Sequence, residues 1–281
     1  MSPLSIDRNV MRLFRGAIHS WLIIFIISSL PAFHSLRSHP ISPCQPNVSA
    51  LGALTNMFCG WADGYQFIGV VLLLIGTIYQ LFRPANRMVA VLIWMIFTSL
   101  MNLSWLASSG GQQMISIMLF WLVFIPAAKE NSDQEQGAVA IGAFWIMRVQ
   151  LLIAYLSTAL HKSTGTHWMD GTALGIVATD GAFGPAWIAE VPLIAAVLTW
   201  CILIFQFTFP IAVWFSRTRV PWMIAGVVFH LATAIWLKIH DMAFAFILCY
   251  AIWLDGSEAK AISDRLNMRF FRSQSERPER A

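Results

Sequence analysis

Three polar side chains recur along one apolar segment, at a spacing that places them on a single helical face. Arg148, Tyr155 and Lys162 stand at positions i, i+7 and i+14. Seven residues are almost two helical turns, so the three side chains form one polar stripe on an otherwise apolar helix. The Lys162 side chain can take part in a reaction as a base, because an amine held partly out of water can accept a proton. Lys162 is therefore a candidate catalytic base.

Two polar side chains in later apolar segments are candidates to meet this stripe. Gln206 lies one turn before Pro210, and His230 lies near the middle of the next segment. Polar groups inside membrane helices are costly and tend to face a cavity or a polar partner. One interpretation is structural: Arg148 and Lys162 reach toward the lipid headgroups, while Gln206 and His230 make interhelical hydrogen bonds.

The functional interpretation joins the same residues in one buried polar pocket. It predicts that Arg148, Tyr155 and Gln206 line the pocket and that Lys162 and His230 are catalytic. Lys162 and His230 differ in depth by about eight helical residues, or roughly 12 Å, so they would bracket a long substrate. The residues predict no metal site and identify no cofactor.

The four cysteines fall into two kinds. Cys201 and Cys249 lie inside apolar segments, where they act as small hydrophobic side chains. Cys44 and Cys59 share one polar loop. A bridge between them would close a loop of about fifteen residues and contribute about 3 kcal/mol in the chain-entropy model. We predict a structural disulfide, since a redox-active pair usually has the tighter Cys-x-x-Cys spacing.

Composition identifies the elements that position these residues. The 281 residues are 58% hydrophobic and 11% charged, with a mean hydropathy of +0.66. Soluble domains have about 25% charged residues, so a soluble fold is excluded. The apolar residues fall into blocks of the length that a bilayer-spanning helix needs. These blocks are residues 16–33, 67–82, 88–106, 114–128, 140–160, 191–215 and 222–254.

The last block is broken by Lys238, His240 and Asp241 and is interpreted as two short helices, which either cross the membrane where it is locally thin or re-enter on the same side. The chain is thus predicted to be all-α: a polytopic transmembrane helix bundle of about eight spans, the last two short. Residues 168–178 are predicted to form a short amphipathic helix at the outer interface. Residues 1–255 form the membrane domain, and residues 256–281 form a basic cytoplasmic tail.

Basic residues indicate the orientation. With eight spans, fourteen of the eighteen fall on the side of the two termini, which the positive-inside rule assigns to the cytoplasm of a cell-membrane protein. The pI of about 9.1 then reflects orientation and lipid contact and does not indicate nucleic-acid binding. The residues on this side are Arg8, Arg12, Arg15, Arg83, Arg87, Lys129, Arg217, Arg219, Lys260, Arg265, Arg269, Arg272, Arg277 and Arg280.

The ordered set of motifs resembles the HTTM membrane family, which is related to the membrane part of vitamin K-dependent gamma-carboxylase. The resemblance covers most of residues 12–254, and no single motif is decisive. Its motifs are Ser109-Gly-Gly-Gln-Gln-Met114, Arg148-Val-Gln150, Tyr155-Leu-Ser157, His161-Lys162, Trp168-Met-Asp-Gly171, Gln206 to Pro210 and Phe229-His230.

The resemblance implies a role for Lys162, which matches the position of the lysine base in the carboxylase branch. The chain departs from the family at Gln206, where a glutamate is common, and it lacks the large lumenal domain that holds the carboxylase substrates. The resemblance therefore does not extend to carboxylation of protein glutamates. The length and the cysteine-bearing loop are similar to the sporulation-delaying-protein maturation factor branch, which is required to produce a secreted toxin peptide.

Two classes of function remain open at the level of sequence. The first is a membrane-embedded enzyme with Lys162 as base, acting on a lipid-soluble or peptide substrate. The second is a non-catalytic membrane factor for maturation or export of a secreted peptide or precursor protein, bound by the cysteine loop and residues 171–190. A transporter ranks third, since no span carries the two acidic groups that proton coupling usually needs. The expected partners are membrane lipid and that peptide.

Overall fold

The computed structural model describes residues 6–38, 63–82, 86–103, 108–125, 137–180 and 182–275. Within these ranges the regular secondary structure is helical throughout, which confirms the predicted all-α class. The helices are α1 (Arg8–Ser38), α2 (Asp63–Phe82), α3 (Arg87–Leu103), α4 (Gly110–Leu122), α5 (Ala138–Ser163), α6 (Thr166–Met169), α7 (Ala173–Thr179), α8 (Trp187–Glu190), α9 (Pro192–Ala212), α10 (Ser216–Leu237), α11 (His240–Cys249) with a 3-10 turn at Tyr250–Trp253, and α12 (Gly256–Ser275).

Four of these helices are long and apolar enough to cross a membrane: Arg8–Pro31, Ala138–Ser163, Pro192–Ala212 and Ser216–Leu237. Shorter apolar helices occupy the remaining predicted blocks, including Gln66–Phe82, Arg87–Asn102 and His240–Trp253. Each apolar block of the sequence therefore contains a helix, and the last block is divided in two at Lys238, where φ is +56°. The count of eight crossings and the cytoplasmic termini stay predictions.

The core lies where the helices converge, and its largest fully buried side chains come from most of them. Fully buried members are Phe14, Ile18, Leu22, Leu73, Ile93, Phe97, Ile115, Met118, Met147, Leu151, Phe209 and Ile252. Large apolar side chains also cover the outside of the bundle, among them Ile24, Leu193 and Ile235, each more than two-thirds exposed. An apolar outer surface is what a helix bundle presents to lipid.

The segment between α5 and α9 packs against the first half of α9. Ala178, Ile188 and Ala195 form a small cluster there. The amphipathic helix predicted over residues 168–178 is two shorter helices in the structure, α6 and α7. They are separated at Gly171, whose φ of +83° is unfavourable for any other residue. A side chain there would also collide with α9, since an added Cβ would lie 2.9 Å from that of Ala196.

The tail helix α12 begins with a capping box. The Asp255 carboxylate accepts hydrogen bonds from the backbone amides of Ser257 and Glu258, and Glu258 accepts one from the amide of Asp255. Hydrogen bonds from the Ser257 hydroxyl and the Glu258 amide hold the pKa of Asp255 below its usual value. Arg219 of α10 pairs with Glu258 at 2.9 Å, so the start of the tail is fixed to the bundle.

Cys44 and Cys59 lie outside the described residues, so their disulfide stays a prediction. Thiol labelling of the native protein should leave both cysteines unmodified until reductant is added. Mass spectrometry of the fragment that contains residues 44–59 checks this. Labelling of both thiols in untreated protein would show that the bridge is absent. Labelling of the same two cysteines after reduction is the internal control for reagent access.

Candidate functional site

Three buried polar side chains meet where α5, α10 and the 3-10 turn come together. The hydroxyl of Tyr155 lies 2.5 Å from Nε2 of His230 and 2.5 Å from the hydroxyl of Tyr250. All three residues are at most 4% exposed. This trio joins side chains that are 75 and 95 residues apart in sequence. Its hydrogen bonds thus fix the relative positions of three elements inside an apolar core.

Aromatic rings pack around the trio. Phe209 of α9 lies 4.4 Å from the Tyr155 ring, and Phe246 of α11 stacks on His230 at 5.1 Å. Nδ1 of His230 is buried and has no hydrogen-bond partner among the described residues. The trio is therefore enclosed by the protein, and its imidazole has one ring nitrogen committed to Tyr155.

Gly226 of α10 leaves room for the Tyr250 side chain to reach the other two members of the trio. A Cβ added at Gly226 would collide with the Tyr250 hydroxyl and lie 2.7 Å from its Cζ. The phenol ring therefore lies directly against the α10 backbone. Any side chain at position 226 would occupy the place of that ring.

Lys162 makes a separate contact near the end of α5. Its Nζ donates a hydrogen bond of 3.1 Å to Oε1 of Gln206 on α9, and it lies 4.4 Å from the centroid of the Trp168 ring on α6. Gln206 is buried and Lys162 is half-buried. A cation over an indole face is a favourable electrostatic contact. Both partners of this lysine are thus electrically neutral.

Arg148 makes a third contact, in the first half of α5. Its Nε donates a hydrogen bond of 2.8 Å to the carbonyl of Ile252 in the 3-10 turn. The guanidinium carbon also lies 4.6 Å from the Phe144 ring centroid and 5.1 Å from those of Trp145 and Trp253. Arg148 is therefore held among aromatic rings of the protein.

The predicted stripe thus contacts protein along its whole length, and each of its members bonds to a different partner. Lys162 meets Gln206, Tyr155 meets His230, and Arg148 meets the 3-10 turn. Neighbouring members are seven residues apart, or about 10 Å along the helix axis. The side chains of Lys162 and His230 bond to different partners, and the single pocket that would join them stays a prediction.

Two polar contacts escaped the sequence reasoning. Tyr250 completes the trio, and the only sequence signal was a single tyrosine in an apolar stretch. The other contact joins two short helices: the Asp241 carboxylate of α11 accepts hydrogen bonds from the Ser109 hydroxyl at 2.5 Å and from Gln112 of α4 at 2.9 Å. Over the described residues, no group of three or more histidine, cysteine or acidic residues could hold a metal ion.

A bundle of long apolar helices, with charged and polar side chains that bond between helices, defines a polytopic helical membrane protein. The chain belongs to the HTTM domain family, whose model matches residues 46–257. The motifs singled out in the sequence all lie within that range.

Two curated relatives come from Bacillus subtilis (strain 168). Sporulation-delaying protein SdpB is 24% identical over 249 residues, which cover 80% of this chain and 74% of that protein. Uncharacterized protein YitO is 23% identical over 201 residues, which cover 63% of this chain and 60% of that protein. No solved structure matches the chain significantly.

Proposed function

We propose that this HTTM protein is a membrane-embedded enzyme in which Lys162 accepts a proton from a lipid-soluble or peptide substrate. The proposal rests on the two neutral partners of the Lys162 amine, Gln206 and Trp168. A carboxylate partner would hold the lysine in its charged form, whereas an amide oxygen and an indole ring leave proton exchange open.

The surroundings of Lys162 also support a reaction site. The amine is half-buried, so it remains reachable while much of its stem is packed. Gln206 is buried and fixes the position of the amine from one side, and Trp168 covers another side. A base must be held within hydrogen-bond reach of the proton that it removes, and these contacts provide such positioning.

The trio takes a different role in this proposal. His230 is fully enclosed and its Nε2 is already bonded to Tyr155, so we assign it a positioning role for α5 and α10. Tyr155 lies about 10 Å along α5 from Lys162, and it transmits the position of α10 to the helix that carries the base.

The test is substitution of the base by a residue that keeps the charge. In the native host, deletion of the gene should change the secreted peptides or the lipid extract, and mass spectrometry identifies the affected product. Lys162→Arg should behave as the deletion does, because arginine remains protonated and cannot act as a base. Lys260→Arg on the exposed tail is the matched control and should retain full activity.

His230→Gln separates the two roles. Glutamine keeps hydrogen bonding but does not take up a proton. Because His230 is assigned a positioning role, the variant should lower the amount of folded protein more than the activity per folded molecule. Full activity of folded Lys162→Arg protein would overturn the enzyme proposal.

The second candidate is a non-catalytic factor for maturation or export of a secreted peptide. It is favoured by the 24% identity to Sporulation-delaying protein SdpB. In this case the cysteine loop and residues 171–190, which include α7 and α8, would bind the peptide. The same experiment distinguishes the two: a change in secreted peptide on deletion, together with full activity of Lys162→Arg, is the result that this candidate predicts.

A further inference from the structure

A large groove runs along the side of the bundle, away from Lys162. It has a volume of about 1630 Å³ and lies between α1 and α10, with α11 as its floor and α12 at one end. Pockets for drug-sized ligands have volumes of roughly 300–1,000 Å³. The groove is larger than that, and neither Lys162 nor Gln206 lines it.

The walls of the groove are apolar and open toward the outside of the bundle. Ile24 of α1, Ile224 of α10 and Phe244 of α11 line it and are 68%, 59% and 46% exposed. On α1 the lining extends from Arg12 to Ser29, which corresponds to about 25 Å of helix. That length is close to the roughly 30 Å of the bilayer hydrocarbon core, so the groove faces acyl chains along its course.

The end of the groove beside the chain termini is positively charged. Arg12 of α1 and Arg265 of α12 line it, and neither forms a salt bridge with a described residue. The acidic residue at this end is Glu258, which is already paired with Arg219 at 2.9 Å. Two helices therefore present guanidinium groups that no acidic side chain of the described residues pairs with.

We propose that the groove binds an anionic phospholipid from the leaflet on the side of the termini. The lipid phosphate lies between Arg12 and Arg265, and the acyl chains follow Ile24, Ile224 and Phe244. Arginine suits this role because its planar fork bonds phosphate oxygens in a bidentate manner. A transmembrane peptide fits less well, since such segments usually carry lysine and arginine at their cytoplasmic flank, which these two arginines would repel.

The test measures lipid retention, not activity, so it is independent of the role of Lys162. The full-length protein is purified in detergent with equal amounts of phosphatidylglycerol and phosphatidylcholine of identical chains. Native mass spectrometry then counts the bound lipids. We expect phosphatidylglycerol to be preferred, and Arg12→Gln with Arg265→Gln to lower that preference by roughly 30-fold, the factor that two basic side chains near an anionic surface supply.

A charge-matched control is available on the same end of the protein. Arg217→Gln with Lys260→Gln removes two positive charges from exposed positions that do not line the groove, and it should leave the lipid preference unchanged. If this control loses the preference to the same extent, general surface charge explains the binding and the site is refuted.

A second variant fills the groove without changing its charge. A Cβ at Gly16 would meet nothing within 4 Å, so Gly16→Phe should fold and displace the acyl chains. It should reduce bound phosphatidylglycerol at least tenfold even if the double arginine variant fails to fold. Unchanged retention in Gly16→Phe overturns the proposal, as does competition by inorganic phosphate or recovery of a bound peptide in place of lipid.

Discussion

Gly226→Ala should destabilise the protein by about 3 kcal/mol, the sum expected from overpacking and from a broken buried hydrogen bond. The added methyl group would occupy the place of the Tyr250 hydroxyl and lie 2.7 Å from Cζ and 3.0 Å from Cε2 of that ring. Tyr250 is only 4% exposed and its hydroxyl is bonded to Tyr155, so the ring cannot make room for the methyl group and keep that bond. Its displacement would break the hydrogen bond to Tyr155.

Thermal unfolding in detergent measures this effect, and Gly142→Ala on α5 is the matched control. Nothing lies within 4 Å of a Cβ added at Gly142, so alanine should be neutral there or stabilise the helix by up to about 1 kcal/mol. Tyr250→Phe removes the hydroxyl that meets the new methyl group. The double variant should therefore lose less stability than the sum of its two single changes. Equal stability of Gly226→Ala and Gly142→Ala would show that the trio can rearrange freely.

The helices were predictable because apolar block length is a strong signal in membrane proteins. Each apolar block contains a helix, and the break at Lys238 was visible from its polar neighbours. The break at Gly171 was also readable, since an Asp-Gly pair such as Asp170-Gly171 marks a turn. The predicted single helix over residues 168–178 followed the amphipathic pattern and overlooked this turn signal.

The polar stripe was readable from spacing alone, whereas its partners were not. Positions 148, 155 and 162 share a face because helical periodicity is local. Which side chain meets each of them depends on the depth and rotation of other helices, which are set by packing. The sequence therefore identified Gln206 and His230 as polar neighbours of the stripe, but not that Gln206 bonds to Lys162 and His230 to Tyr155. Tyr250 was missed because its role depends on close approach to Gly226, 24 residues earlier.

Arg148→Leu should lower the free energy of unfolding by about 2 kcal/mol. The variant removes the hydrogen bond from Nε to the Ile252 carbonyl, and the carbonyl is left without that donor in an apolar setting. It also removes the cation from the rings of Phe144, Trp145 and Trp253, each of which lies within 5.1 Å of the guanidinium carbon. The opposing gain is the relief of a half-buried charge, which a well-packed leucine can supply.

The measured stability shows whether the lost contacts of Arg148 or the relief of its half-buried charge has the larger effect. Two further variants show which property of the arginine is responsible. Arg148→Lys keeps the charge over the rings but not the planar fork, so it should fall between wild type and Arg148→Leu. Arg217→Leu changes an exposed arginine of α10 and should alter stability by less than about 0.5 kcal/mol. If Arg148→Leu proves neutral or more stable than wild type in the same thermal unfolding measurement, the arginine only extends toward the headgroups. The contact between α5 and the 3-10 turn would then depend only on the packing of Trp253 and Phe144. Of the two charged residues in the stripe, Arg148 would have no structural role.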